Sequence, residues 1–193
     1  GDHPGERHQE RHRRPHGGTL LRRAGAGGEK GTPAEREVYP VAGGHRDGGR
    51  PAGGRITKSL EKENLSQCSV DDVLAVTDKN GNLIGYVFSA TSPSGYGGDI
   101  KVAIGVSNKT NKITGFTVLS HSETAGLGAK ATEDEFKSQF IGKSANGINC
   151  TKNGASNDTE IDALSGATIT SNAVCEAVDS ALAVYNHQLK EVD

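Results

Sequence analysis

Four apolar stretches of the chain have the length and spacing of β-strands: Val70 to Val76, Leu83 to Ala90, Ile100 to Val106 and Ile113 to Leu119. In the third, Ile100, Val102, Ile104 and Val106 take every second position, the period that turns one strand face inward. Between the first two lies Asp78-Lys79-Asn80-Gly81-Asn82, whose Asn-Gly pair supplies the positive φ angles of a tight hairpin. Asn108 to Asn111 turns between the other two. In "ATEDEFKSQFIGKS", Thr132 and Glu135 stand at capping-box spacing, which predicts a short helix burying Phe136 and Phe140. The period then changes to 3.6: Val174, Val178, Leu182, Tyr185 and Leu189 share one helical face, with Ala177 and Ala181 beside it. This last helix is expected to begin near Ser171 or Asn172. The pattern predicts an α+β domain of antiparallel strand hairpins packed with two or three helices, the C-terminal one long, large enough to hold its own core.

Upstream of Ile56 the pattern disappears. Residues 1–55 contain ten Arg, one Lys, five His, fourteen Gly and five Pro, whereas residues 56–193 contain no Arg and eleven Lys. With seven acidic residues in the first part and seventeen in the second, the formal charges are +4 and −6. "GERHQERHRRPHGG" has neither helical nor strand period and little to bury, so ordering it costs ~1–2 kcal/mol per residue without return. Residues 1–55 therefore read as a disordered or foreign leader, and 56–193 as the folded domain. His3, His8, His12 and His16, with Gly1-Asp2-His3 at an amino terminus, have the nitrogens for Cu(II) or Ni(II). A solvated basic tail is the favoured reading of them, so no metal site is assigned. The chain has no methionine, which fits a processed chain or a fragment.

Charge and cysteine usage narrow the chemistry. A net charge of −2 gives no general attraction to nucleic acid, and no stretch has the length of a membrane span. Cys68, Cys150 and Cys175 are too few for the usual four ligands of an iron–sulfur cluster, and none forms Cys-x-x-Cys. Their odd number leaves at least one thiol free or paired between chains, and Cys175, inside the long helix, reads as a buried structural thiol. The domain has only His121 and His187, and no nucleophile elbow supports a hydrolase.

Before the long helix stands "DALSGATITSNAVCEAV", with Ser165, Thr168, Thr170 and Ser171 within seven positions. The start of a helix presents unpaired N–H groups and the positive end of its dipole. Gly166 and Ala167 let backbone come close to a ligand, and the hydroxyls add donors, so a phosphate suits the place. A hydroxyl-rich cap without ligand has the same composition.

Asp162-Ala163-Leu164-Ser165-Gly166-Ala167-Thr168 resembles the flavinylation motif of FMN-binding domains, found in the G component of Rnf electron-transport complexes and the C component of sodium-pumping NADH:quinone reductase. "GYGGDIKVAIGV" (95–106) and "SHSETAGLGAK" (120–130) resemble the other signatures of the Rnf type. The resemblance covers roughly residues 70–187. It departs at Ala125, where the family usually has proline, which puts the rigidity of that loop in question. The resemblance implies FMN bound through a phosphoester to Thr168 by a flavin transferase, with Asp162, Ser165, Gly166 and Ala167 as recognition and phosphate-cradle positions and Thr170 beside them. Gly97, Gly126 and Gly128 would let main chain approach the flavin ring, together with Gly95 and Gly98. Tyr96 and Leu127 would pack on it, and Glu123, Thr124 and Lys130 would meet its edge. It further implies an electron carrier without turnover of its own, working among redox subunits of an ion-translocating membrane complex. Its place would be the extracytoplasmic face, held by an anchor missing from this chain. FMN is then expected to add order to a domain that folds without it. A non-redox extracytoplasmic binding domain on the same scaffold, or the flavin domain of an extracellular reductase, are the alternatives.

Overall fold

The computed structural model describes residues 38–40 and 53–190. The His-rich leader positions lie outside the described residues. Strand β1 (Val38–Pro40) and helix α1 (Gly53–Lys62) are followed by β2 (Ser69–Thr77), β3 (Leu83–Gly95), β4 (Gly98–Ser107) and β5 (Lys112–Ser120). These five strands form one antiparallel sheet in the order β1-β2-β3-β4-β5. A 3₁₀ turn (Gly128–Thr132) and α2 (Asp134–Ser138) come next. Short β6 (Asn149–Thr151) and β7 (Glu160–Asp162) then form a parallel pair, and the chain ends in α3 (Thr168–Val184) and a π turn (Tyr185–Leu189). Among the described residues, no helix is long and apolar enough to cross a membrane.

The expected α+β class and its hairpins are present, and the strands extend further than the apolar runs. The reason is local at the first turn: the Asp78 carboxylate accepts the N–H groups of Asn80 (2.8 Å) and Asn82 (3.0 Å), while Gly81 takes φ +83°. Alternation places Phe88, Ala90, Ile100, Val102 and Ile104 on one face, each 1% exposed or less. Helix α3 lies on that face against β3 and β4. Its Ala173, Ala177 and Ala181, all fully buried, let the helix come close, and Val174, Val178, Leu182 and Tyr185 fill the space as their spacing predicted. Burying each large apolar side chain contributes roughly 1.5–3 kcal/mol. Phe116, Phe136 and Phe140 close the far edge, the first and last stacked at 4.1 Å between centroids.

Several expectations change. Val38–Pro40, within the segment expected to lack order, pairs with Leu74 to Val76 of β2, and α1 begins at Gly53, before the expected domain start. The Thr132–Glu135 capping box does not form: Glu133 takes the N-cap position, and Thr132 spends its hydroxyl on the Ala129 carbonyl at 2.9 Å. Helix α3 starts at Thr168 instead of Ser171, and its apolar face continues through a π turn, which leaves Leu189 partly buried. Cys175 is no free thiol; it forms a disulfide with Cys150, and buried Cys68 is the free one.

Candidate functional site

The two glycine-rich signatures meet around one carboxylate. Glu123 follows β5, its N–H held by His121 Nδ1 at 3.0 Å, and is only 8% exposed. Its Oε1 accepts the Gly97 N–H at 2.7 Å, and its Oε2 accepts the Tyr96 N–H at 3.3 Å and the Thr170 hydroxyl. One side chain thus joins the β3–β4 turn, the loop after β5 and the first turn of α3. This explains the glycines. A Cβ on Gly95 would stand 2.8 Å from Glu123 Oε1, one on Gly128 2.8 Å from Glu123 Oε2, and one on Gly97 would overlap the Ser122 carbonyl. These glycines make room for Glu123 and the neighbouring loops, and Gly128 lines the cleft as well. Glu123 spends its acceptors on protein donors, so it is a brace for the walls of the site. Ala125 leaves the loop ordered nonetheless, because the Thr124 carbonyl accepts the N–H groups of Leu127 (3.2 Å) and Ala129 (3.1 Å).

Hydrogen bonds to ionised groups contribute about 1.5–3 kcal/mol each. Glu123→Ala is therefore expected to lower stability by roughly 2–4 kcal/mol in urea unfolding. An unchanged midpoint would remove Glu123 as the brace.

The loop before α3 is built by its neighbours. Ser171 Oγ accepts the Leu164 N–H at 2.8 Å and donates to the Ala167 carbonyl at 3.0 Å, so a residue inside the helix shapes the loop that precedes it. Gly166 sits at φ +72°, the left-handed turn that brings the chain into the helix. The four hydroxyls separate by role. Thr170 is spent on Glu123, Ser171 on the loop, and Ser165 is exposed away from the cleft. The Thr168 hydroxyl is half-buried and has no hydrogen-bond partner among the described residues. The backbone N–H groups of Thr168, Ile169 and Thr170 are likewise unpaired, as the first donors of a helix are.

Between these elements opens a cleft of about 530 Å³, within the ~300–1,000 Å³ of small-molecule and cofactor sites. Of the residues expected at the site, Tyr96, Glu123, Thr124, Leu127 and Gly128 line one side, and Gly166, Ala167, Thr168 and Thr170 the other. Gly97 acts through Glu123. Gly126, Lys130 and Ser165 are exposed and do not line it. Asp162 lies outside as well: its Oδ1 accepts the Ala155 N–H at 2.5 Å, and its N–H donates to Gln139 Oε1 at 2.8 Å, so it supports the loop from behind. Ile169 was missed. It is 55% exposed and forms an apolar rim with Tyr96 (73%) and Leu127 (47%). A helix counted from Thr168 would have brought it to attention. The donor set, free hydroxyl and apolar rim fit a ligand with a phosphate at one end and a flat apolar body at the other.

Residues 95–183 match the family model of the FMN-binding domain. Relatives include the G component of the ion-translocating oxidoreductase complex of Methanosarcina acetivorans, 44% identical over 105 residues, covering 54% of this chain and 53% of the relative. The G component of the proton-translocating ferredoxin:NAD(+) oxidoreductase complex of Clostridium ljungdahlii is 42% identical over 104 residues, covering 54% and 55%. The chain spans about half the length of these curated relatives. The crystal structure of the C component of the Na(+)-translocating NADH-quinone reductase of Parabacteroides distasonis aligns with a TM-score of 0.56 at 24% identity, over 81% of this chain and 79% of that one. At that identity the likeness is one of fold.

Proposed function

We propose that the domain, whose residues 95–183 match the family model of the FMN-binding domain, carries FMN esterified through its phosphate to Thr168 and relays electrons inside a membrane-bound, ion-translocating oxidoreductase complex. The observation that carries this reading is the division of labour among the hydroxyls. Thr168 alone combines a free hydroxyl, a place on the cleft and the unpaired N–H groups of the helix start. Those N–H groups hold the phosphate, and the half-positive end of α3 offsets its charge. Tyr96, Leu127 and Ile169 shield the ring from water, while Glu123 fixes the two walls. FMN supplies the electron chemistry; the protein supplies tether, orientation and shielding.

A flavin transferase working on FAD balances the attachment: the bond from Thr168 Oγ1 to phosphorus forms as the pyrophosphate breaks and AMP leaves. The partners are the other redox subunits of the complex, in keeping with the names of the relatives. The Cys150–Cys175 disulfide supports an extracytoplasmic site of action, because disulfides persist in oxidising compartments. Covalent attachment suits such a place, where a dissociated flavin would be lost.

Intact mass and peptide mapping of the full chain, co-expressed with a flavin transferase, test the reading. The expected result is a gain of one FMN less one water on the peptide that contains Thr168. An unmodified peptide, with the transferase active on a control substrate, would return the helix start to a plain cap.

A further inference from the structure

The segment that carries Thr168 is anchored at both ends, and one disulfide joins the anchors. Upstream, β7 pairs with β6, Ile161 beside Cys150 and Asp162 beside Thr151, and the Thr151 carbonyl accepts the Ala163 N–H at 2.8 Å. Downstream, Ser171 of α3 holds Leu164 and Ala167. Cys150 adjoins the first anchor, and Cys175 lies one helical turn beyond the second. Their bond spans 6.3 Å between Cα atoms and a sequence separation of 25. It closes β7, the loop and the start of α3 into a covalent ring. Within the loop, Leu164 packs against the core and Ala167 is buried, but Ser165 and Gly166 between them are exposed, so burial does not hold the middle of the loop. The sheet core of Phe88, Ile100 and Val102 lies outside this ring.

We propose that the Cys150–Cys175 disulfide is a redox-operated latch on the attachment loop. Oxidised, it fixes β6 and α3 at the separation the loop spans, and Thr168 is presented for modification. Opening it takes two electrons and two protons from a dithiol reductant, which leaves as its own disulfide while Cys150 and Cys175 become thiols. Cys150 is half-buried and Cys175 is 5% exposed, so the attacking thiolate enters from the Cys150 side. With the ring open, loop residues 163–167 lose their fixed span and Thr168 becomes a poor acceptor. Maturation is thereby tied to an oxidising compartment. The effect on modification rests on the reading that Thr168 accepts the flavin; the loosening of the loop does not.

Hydrogen–deuterium exchange on the full chain, oxidised and after dithiothreitol, tests the latch, with the double variant Cys150→Ser/Cys175→Ser as a permanently open form. Flavin transfer to each form is followed by intact mass with transferase and FAD. The expected result is exchange at least tenfold faster across residues 163–168 in both open forms, unchanged protection in β3 and β4, slower modification of Thr168, and recovery on reoxidation. Equal loop exchange in open and closed forms would overturn the proposal. So would loosening with undiminished modification, or a loss of protection throughout β3 and β4, which would make the bond a staple for the whole fold. If the oxidised chain takes no flavin at all, the covalent reading fails, and the exchange comparison still decides whether the bond holds the loop.

Discussion

Thr168→Ala is expected to end covalent flavin attachment completely while leaving the fold intact. The argument rests on what the hydroxyl does not do. It has no partner among the described residues and is half-buried at the first position of α3. Alanine is the best helix former, so the change in stability should stay within about 0.5 kcal/mol. The neighbouring hydroxyls behave differently. Thr170→Ala removes a donor from buried Glu123, and Ser171→Ala leaves the Leu164 N–H unpaired and the Ala167 carbonyl with the residue 171 backbone N–H alone. Each is expected to cost about 1–3 kcal/mol, Thr170→Ala the more, and to reduce attachment by disturbing the walls. Thr168→Ser keeps the nucleophilic oxygen and should retain part of the modification. Intact mass beside a urea melt separates these outcomes. FMN on the Thr168→Ala chain, or on Thr170 in any variant, would refute the assignment.

The pattern that made the fold legible was burial on one face. Every second residue from Ile100 to Val106 points into the core, and the α3 spacing from Val174 to Tyr185 does the same at period 3.6. These positions respond to a single demand, the exclusion of apolar surface from water, so composition reveals them. The start of α3 answers to something else. Thr168, Ile169 and Thr170 are moderate helix formers and read as loop, yet Glu123, distant in sequence, holds the Thr170 hydroxyl and with it the first turn of α3. The glycines at 95, 97 and 128 read from sequence as ligand contacts alone, since only tertiary structure reveals that Glu123 and its loop also need that space. The Cys150–Cys175 pair was hidden by parity: three thiols permit three pairings, and no periodicity selects one. Ordinary periodic segments were readable, and the places shaped by distant side chains were not.

Stability is expected to fall as pH rises from about 4 to about 7, and Asp179 is the cause. It lies on α3, where burial, the largest effect, pushes its carboxyl up to about 7. The Ile148 N–H, donated to Oδ1 at 2.6 Å, pulls in the other direction, and Glu63 and Glu176 add to the rise. The folded state thus holds this proton more tightly than the unfolded chain. Its stabilising effect is fully present below the unfolded value near 3.8, declines through the interval, and is gone above the folded value near 7. At ~1.4 kcal/mol per unit of pKa, the full change is about 4 kcal/mol. Asp71, Asp78, Asp134 and Glu160 are shifted the other way, so their losses fall below pH ~4.5 and leave most of the interval to Asp179. Asp179→Asn keeps an oxygen for the Ile148 N–H and removes the charge. Urea unfolding near pH 5 and pH 8 should then show most of the wild-type slope abolished, with the variant the more stable form at the higher value. A slope equal to that of the wild type would mean that water reaches the carboxylate and spares it the cost of burial. The outcome bears on the site because Ile148 leads directly into β6 and Cys150, so the same carboxylate ties α3 to the strand from which the attachment loop is hung.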